Sequence, residues 1–176
     1  MNTIEADGTH AIEVVAEEDA DLPCPEDVIA GFVRSVLEDT AVHAQRWELS
    51  ITFCSEEKMV ELNREYRGKT GTTDVLTFRW DDKAQDPDSW PEAQDTSLVS
   101  VSGVDFHYVG DIVIEYTEVK RNARHFDVSE EEELRRVLIH GLLHLAGMDH
   151  STNDTTEPML QVQEEILRRL DKQRLF

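Results

Sequence analysis

Basic residues are scarce in this chain of 176 residues. Seventeen Lys and Arg stand against 38 Asp and Glu, which gives a formal net charge of −21, and no Lys or Arg precedes Arg34. Indiscriminate binding to nucleic acid or to anionic membranes needs a basic field on the protein. The charge therefore disfavours both kinds of binding, and we expect neither a DNA partner nor membrane attachment.

Cysteines and long apolar runs are also few. Cys24 and Cys54 are the only cysteines, and they form neither a Cys-x-x-Cys zinc pair nor a disulfide framework. The longest apolar stretch, residues 137–148, contains two histidines and is shorter than the roughly 20 residues that a membrane helix needs. Residues 1–18 are acidic where a signal peptide has a basic start and an apolar run. These absences predict a cytoplasmic protein in a reducing compartment.

The remaining composition is typical of one globular domain. Apolar residues make up 39% of the chain and charged residues 31%, and a length near 150 residues is usual for a domain. We expect a single domain over residues 1–176. Within it, residues 1–20 hold either a short edge strand at 11–16 or a frayed terminus. The acidic stretch 80–109 is expected to form an insertion or loop with a small hairpin near 98–104.

Hydrophobic periodicity predicts alternating helices and strands. Helices are expected at about 25–39, 55–66, 117–126, 129–146 and 157–171, and strands at 47–53, 75–78 and 112–114. Ser129 and Glu132 have the spacing of a capping box at the start of the fourth helix, and Gly147 is expected to end it. This arrangement places the most distinctive residues of the chain on one helix and the turn after it.

Three histidines on that helix and turn have the spacing of metal ligands. His140 and His144 are four residues apart, so on a helix their side chains project side by side. Gly147 permits the positive φ that reverses the chain, which lets His150 fold back toward them. Three imidazoles with a fourth position left to water are the composition of a catalytic zinc site. We predict one Zn2+ per chain, held by His140, His144 and His150.

Two other readings of the zinc site stay open. The spacing His-x-x-x-His-x-x-Gly-x-x-His is that of the metzincin peptidases, but Gly141 stands where those enzymes have their general-base Glu. A zinc peptidase-like hydrolase is therefore an alternative that lacks its proton acceptor. A non-enzymatic protein with a structural zinc is the other alternative, and the open fourth ligand position argues against it.

The motifs together resemble one known family. Residues 140–150 are similar to the His-Gly-x-Leu-His-Leu-x-Gly-x-Asp-His signature of the YbeY family, single-domain bacterial endoribonucleases that act in ribosomal RNA maturation. Segments 62–69 and 73–78 resemble a second signature of that family, and 110–114 a third. The resemblance covers about residues 47–167. The chain departs from the family pattern at four positions in one region: Thr70, Thr72, Thr77 and Arg79.

The resemblance implies a fold and a function. The implied fold is a zincin-like α+β domain, with helices packed on a small mixed sheet and a metal-binding helix near the centre. The implied function is that of a zinc-dependent endoribonuclease specific for single-stranded RNA, acting on a ribosomal RNA precursor in ribosome biogenesis. Since the chain is acidic, we expect a ribosomal or assembly-factor protein to deliver the RNA. A ribosome-assembly factor with a structural zinc is the non-enzymatic alternative.

Arg67 is the candidate catalytic residue, because the family has an Arg at this point in the cleft that faces the metal. Its guanidinium can hold two phosphate oxygens and neutralise charge in the transition state, although a surface salt bridge is an alternative role. Lys69 is a weaker candidate for phosphate contact. Asp149 is expected either to orient a ligand imidazole or to cap a turn. Asp74 and Asp111 are expected to bind backbone groups, and no general base is assigned.

Overall fold

Six strands and five helices are present in the part of the chain that the computed structural model describes. It covers residues 5–6, 10–40, 46–80, 98–101 and 104–176. The strands are β1 (Glu5–Ala6), β2 (Ala11–Ala16), β3 (Trp47–Phe53), β4 (Val75–Arg79), β5 (Leu98–Val101) and β6 (Val104–Ile114). The helices are α1 (Glu26–Thr40), α2 (Glu56–Arg67), α3 (Tyr116–Phe126), α4 (Glu130–Leu145) and α5 (Pro158–Arg169).

The strands form one mixed sheet in the order β1-β2-β3-β6-β4, and β5 pairs with β6 as well. Strands β2, β3 and β6 are parallel, while β1, β4 and β5 pair antiparallel to their neighbours. Gly110 in β6 has a φ of +140°, and a Cβ at this position would lie 2.0 Å from the carbonyl oxygen of Phe78. Only glycine permits this close approach of β4 to β6. The mixed sheet and the five described helices together form the α+β fold that the resemblance implies.

The two faces of the sheet carry different layers. Ile112 and Ile114 point into the main core, which α1, α4 and α5 complete. Val113 lies between them and points to the opposite face, because side chains alternate along a strand. There it joins a smaller cluster with Met59 of α2 and Leu76 of β4. Helices α4 and α2 thus cover opposite faces of the sheet, and β4 is the strand that both layers reach.

Helix α4 is the buried helix at the centre of the main core, where Leu138 and Ile139 have no exposed surface. It begins at Ser129, whose Oγ accepts a hydrogen bond from the Glu132 backbone N–H at 3.0 Å. This is one half of the predicted capping box. The Glu132 carboxylate accepts a hydrogen bond from Arg136 one turn further on. The helix ends before Gly147, which has the predicted positive φ at +88°.

The predicted helix limits agree with the structure within two residues, but two strands differ from expectation. Strand β2 forms as predicted, yet it is not at the edge, since β1 pairs on its outer side. Strand β6 begins at Val104 rather than near 112, because its first residues pair with β5 as a hairpin. The sequence pattern misses this part of the strand, since these residues mix polar and apolar types. The rest of the acidic stretch, 81–97, and residues 1–4 and 7–9 of the N-terminus lie outside the described residues. None of the helices that the structure describes is long and apolar enough to cross a membrane.

Candidate metal centre

The end of α4 and the turn after it bring three imidazoles together. The Nε2 atoms of His140 and His144 are 3.0 Å apart, and the ring of His150 has its centroid 5.0 Å from that of His140 and 5.4 Å from that of His144. One ligand atom from each histidine lies within 4.8 Å of the other two. The reversal at Gly147 thus places the third histidine beside the helical pair. The group can hold a metal ion.

The other nitrogen of each ring is held by an oxygen atom. His144 Nδ1 lies 3.0 Å from the carbonyl oxygen of Met148, and His150 Nδ1 lies 2.8 Å from that of Thr152. His140 Nδ1 lies 2.8 Å from Oε1 of Gln163 on α5. Histidines that bind metals nearly always donate their second ring N–H to such an oxygen, which fixes the ring orientation.

The electrostatics of the pair favour neutral rings. Burial, and after it the neighbouring His140 and His150, lower the pKa of His144 to about 4. Burial also lowers the pKa of His140, and the hydrogen bond to Gln163 opposes that effect. Neutral imidazole is the form that binds a metal. These two half-buried ligands are therefore ready to bind at neutral pH without first losing a proton.

The donor set fits a cation. Carbonyl oxygens only accept hydrogen bonds, so Nδ1 of His144 carries its hydrogen and Nε2 presents a lone pair when the ring is neutral. His140 presents a second lone pair to it when Gln163 turns its amide oxygen toward Nδ1. Two lone pairs that face each other at this distance repel, and a cation between the rings removes that repulsion. The chemistry of these residues therefore fits a metal ion.

Gly141 lies on a different side of α4 from the histidine pair and is buried against β6. A Cβ at this position would lie 2.9 Å from Cδ1 of Ile112 and 3.1 Å from its Cγ2. A glutamate here would be driven into the sheet rather than toward the histidines. The sequence feature that separates this chain from the metzincins is therefore matched by packing that leaves no room for their general base.

Asp149 caps the turn. Its Oδ1 accepts a hydrogen bond from the His150 backbone N–H at 2.8 Å, and its side chain is 88% exposed. The same atom is 3.9 Å from His144 Nδ1, which is beyond hydrogen-bond distance. Of the two expected roles, the structure gives Asp149 that of a turn cap, and the Met148 carbonyl takes the role of orienting His144.

Arg67 is the last residue of α2 and is exposed. Gly68 ends the helix with a φ of +62°, and Asn63 fixes the following loop through a 2.9 Å hydrogen bond to the Gly71 carbonyl. The positive charge of Arg67 lowers the pKa of His140, so it acts on the histidine cluster. Within the described part of the chain, Arg67 has neither a hydrogen bond nor an ion pair from its guanidinium.

The two aspartates of the strand motifs bind side chains rather than the backbone groups that we expected. Asp74 accepts hydrogen bonds from Asn122 on α3 and from the neighbouring Thr73. Asp111 accepts a 2.7 Å hydrogen bond from Ser50 and a 2.6 Å one from Tyr108. Both residues link elements of the fold, because their carboxylates are occupied by these partners. Lys69 is exposed on the loop after α2.

Gln163 is the residue at the site that the sequence analysis missed. It is 5% exposed and lies on the buried stripe of α5, four residues after Met159 and three before Ile166. A polar residue at an apolar helical position was the available signal, since a buried amide needs a partner. What the pattern does not reveal is which helix that partner is on.

The fold and the site define a small α+β protein with a candidate metal centre of three histidines. Residues 14–171 match the family model described as Endoribonuclease YbeY. The chain is 40% identical over 139 residues to Endoribonuclease YbeY of Treponema pallidum, covering 79% of this chain and 77% of the relative. It is 38% identical over 151 residues to Endoribonuclease YbeY of Borreliella burgdorferi, covering 85% and 88%. The chain belongs to the YbeY endoribonuclease family.

A solved structure supports the same fold. The solution structure of TM1509 from Thermotoga maritima is similar with a TM-score of 0.52 and 26% sequence identity. The match covers 90% of this chain and 88% of the other. The predicted resemblance and the predicted fold class are therefore confirmed.

Proposed function

We propose that this protein is a zinc-dependent endoribonuclease that cuts single-stranded RNA during the maturation of ribosomal RNA. The observation that carries the proposal is the convergence of three imidazoles, whose ligand atoms lie within 4.8 Å of one another. Three protein ligands are typical of catalytic zinc sites, in which the remaining ligand is water or substrate. Membership of the YbeY endoribonuclease family supports RNA as the substrate. The ligands are His140, His144 and His150, and one zinc ion binds per chain.

The residues around the site orient the three ligands and surround them. A zinc ion held by the three neutral histidines would supply Lewis-acid chemistry and would acidify water at the site. The Met148 and Thr152 carbonyls hold the rings of His144 and His150 in place. The apolar surroundings of α4 partly bury the two helical histidines, which strengthens electrostatic interactions at the site.

Arg67 is the proposed catalytic residue. Its side chain is exposed at the end of α2, and its positive charge lowers the pKa of His140, which supports a role beside the histidine cluster. The planar guanidinium can donate two parallel hydrogen bonds to phosphate oxygens and neutralise the charge that develops on them during displacement. Because Arg67 is not engaged by another described residue, substrate binding breaks no ion pair among those residues.

Peptide hydrolysis is the less favoured activity, since Gly141 packs on Ile112 where a peptidase needs its general base. A ribosome-assembly factor with a purely structural zinc is also less favoured, because structural sites usually have four protein ligands. The cluster found within the described residues has three.

The setting of the activity follows from the charge and the cysteines. A net charge of −21 weakens unaided affinity for RNA, so we propose that a ribosomal or assembly-factor protein presents the substrate. Cys24 and Cys54 are both free and buried, which suits the cytoplasm as the proposed location. We propose that one domain over residues 1–176 carries the activity.

Cleavage assays with metal-depleted protein test the proposal. We expect zinc to restore cutting of single-stranded RNA, with little cutting of duplex RNA and none of an unfolded peptide. The variant His144→Ala should lose both zinc and activity, whereas His125→Ala, which changes an exposed histidine outside the cluster, should keep both. A zinc-loaded, folded protein that leaves single-stranded RNA intact would refute the proposed activity.

A further inference from the structure

We propose that Glu164 sets the protonated nitrogen of His140, acting through the amide of Gln163, and thereby keeps the His140 Nε2 lone pair available to the metal. This inference rests on the metal centre of the proposed function and assigns positioning roles to Gln163 and Glu164 on α5. Neither residue is part of the histidine motif.

His140 differs from the other two ligands in how its ring is held. Carbonyl oxygens of the backbone accept from His144 and His150, and a carbonyl oxygen leaves no choice of tautomer. The partner of His140 is a side-chain amide, which can present either its oxygen or its NH2 group to Nδ1. The orientation of the Gln163 amide therefore decides which nitrogen of His140 carries the hydrogen.

The opposite orientation of the Gln163 amide would hinder metal binding. If Gln163 presented its NH2 group, Nδ1 of His140 would accept and Nε2 would carry the hydrogen. That N–H would then donate to Nε2 of His144, which lies only 3.0 Å away. The two ligands would satisfy each other in a neutral hydrogen bond, and a metal would have to break it before it could bind.

Glu164 prevents this orientation. Its Oε1 accepts a hydrogen bond from Gln163 Nε2 at 3.1 Å, which turns the amide oxygen toward His140. Rotating the amide would place two oxygens against each other. Glu164 is itself held by Arg136 of α4, whose Nε donates to the same Oε1 at 2.8 Å. Arg136 also donates to Glu132 and Glu133 at 2.8 and 2.7 Å, so the carboxylate is fixed between two helices.

Removing the carboxylate tests this arrangement. The variant Glu164→Leu frees the Gln163 amide at a side chain that is half exposed, so the fold should be kept. In the metal-free protein, long-range 1H–15N spectra of the imidazoles should show His140 changing from hydrogen on Nδ1 to hydrogen on Nε2. Zinc affinity should fall about tenfold to a hundredfold, the range for losing an outer hydrogen bond to a ligand.

A repair and a matched control sharpen the test. Adding Gln163→Glu to Glu164→Leu places an acceptor-only carboxylate against His140, so hydrogen should return to Nδ1 and zinc affinity should recover. The control Glu165→Leu removes the next carboxylate, which binds Arg169 on the same helix, and should change neither readout. Both readouts are independent of RNA cleavage.

The results separate this inference from the proposed function. A Glu164→Leu protein with His140 still protonated on Nδ1 would overturn the inference, whether or not its zinc affinity fell. So would a repaired variant in which neither tautomer nor affinity returned. Wild-type protein that binds zinc but does not cut RNA would refute only the proposed activity.

Discussion

Arg67 is the residue on which the proposed chemistry depends most outside the histidines. We expect Arg67→Ala to lower kcat/KM for RNA by about a hundredfold to a thousandfold, the usual cost of removing one donor that stabilises transition-state charge. Arg67→Lys should recover only part of the loss, because an ammonium lacks the planar pair of donors. Zinc content and melting temperature should stay unchanged, since the side chain is exposed.

Arg64→Ala is the control for this prediction. Arg64 lies one turn earlier on α2, is exposed, and acts electrostatically on Glu61. Its removal takes away the same charge from the same helix and should leave cleavage near the wild-type rate. Equal losses from the two variants would mean that Arg67 contributes general charge and does not contact a phosphate.

Glu48 is a carboxylate whose surroundings disfavour its charge. It alternates with Trp47 and Leu49, so it lies on the sheet face away from the main core, beside a cavity of about 180 Å³ that Glu13 and Asp111 also line. Its Oε2 is buried and has no hydrogen-bond partner among the described residues. Burial and then the charge of Glu13 raise the pKa of Glu48. The ionised carboxylate therefore costs stability at neutral pH.

The sign of the pH dependence follows from that raised pKa. Between the unfolded value of 4.5 and the higher folded value, the folded state binds more protons, so this group stabilises the fold as pH falls through that window. Glu48→Gln should raise the free energy of unfolding at pH 7 by about 1 kcal/mol. The gain should shrink toward pH 4.5.

Denaturant unfolding at several pH values measures the effect. Glu18→Gln removes an equal charge from an exposed position and is the control. If both variants gained the same stability at every pH, the effect would come from the net charge and not from the buried carboxylate.

At the scale of elements, the contact between α4 and β6 determines where the histidines lie. Alanine at position 141 would normally stabilise a helix by about 1 kcal/mol relative to glycine. Here its Cβ would press on Ile112, and overpacking costs about 1 to 3 kcal/mol. We expect Gly141→Ala to be destabilising on balance by about 1 kcal/mol, as measured by denaturant unfolding of the zinc-free protein.

Shortening Ile112 should relieve the strain. Cδ1 of Ile112 is the nearest atom to the added Cβ, and Ile112→Val removes it. The double variant should be more stable than the sum of the two single changes predicts, because the pair interacts directly. Additive effects would show that α4 shifts away from the sheet instead of compressing Ile112. The distance between β6 and the zinc ligands on α4 would then increase when the helix shifts.

The elements also show what can be predicted from sequence. Residues 129–147 carry a cap, a buried stripe and a terminating glycine, and all three signals are local, so the helix and the pairing of His140 with His144 follow from the pattern. The sequence pattern predicts only the apolar end of β6, since the first half of this strand is stabilised by pairing with β5 and β3. Pairing partners distant in the chain leave no periodic signal.

The same limit applies to the site. The three histidines are close in sequence, and their spacing indicates their proximity. Gln163 reaches His140 from another helix, and the contact depends on the angle at which α5 packs on α4. That angle is set in part by Arg135, a buried residue that donates to the Leu167 and Leu170 carbonyls at the end of α5. The local sequence pattern does not predict such tertiary geometry.

At the scale of the whole molecule, the net charge of −21 opposes the proposed substrate, while the proposed site is locally positive through Arg67 and the metal. Which effect dominates depends on how far charges are felt. The Debye length is about 30 Å at 0.01 M salt, longer than the radius of a protein of this size, and about 8 Å at 0.15 M. At low salt the electrostatic repulsion from the whole negative charge acts on the RNA. At moderate salt that repulsion is screened, and the RNA interacts mainly with charges at the site.

We therefore expect kcat/KM for a short single-stranded RNA to rise as monovalent salt increases from about 0.01 to 0.15 M, and to fall at higher salt as the Arg67 contact is screened. Steady-state cleavage at constant zinc measures the profile. Arg67→Ala should lose the fall at high salt and keep the rise at low salt, because the rise belongs to the whole molecule. Basic nucleic-acid-binding proteins lose affinity steadily with salt as counterions are released. A steady fall from the lowest salt here would mean that positive charge at the site controls the approach of RNA even when screening is weak, and that the acidic surface does not face the incoming strand.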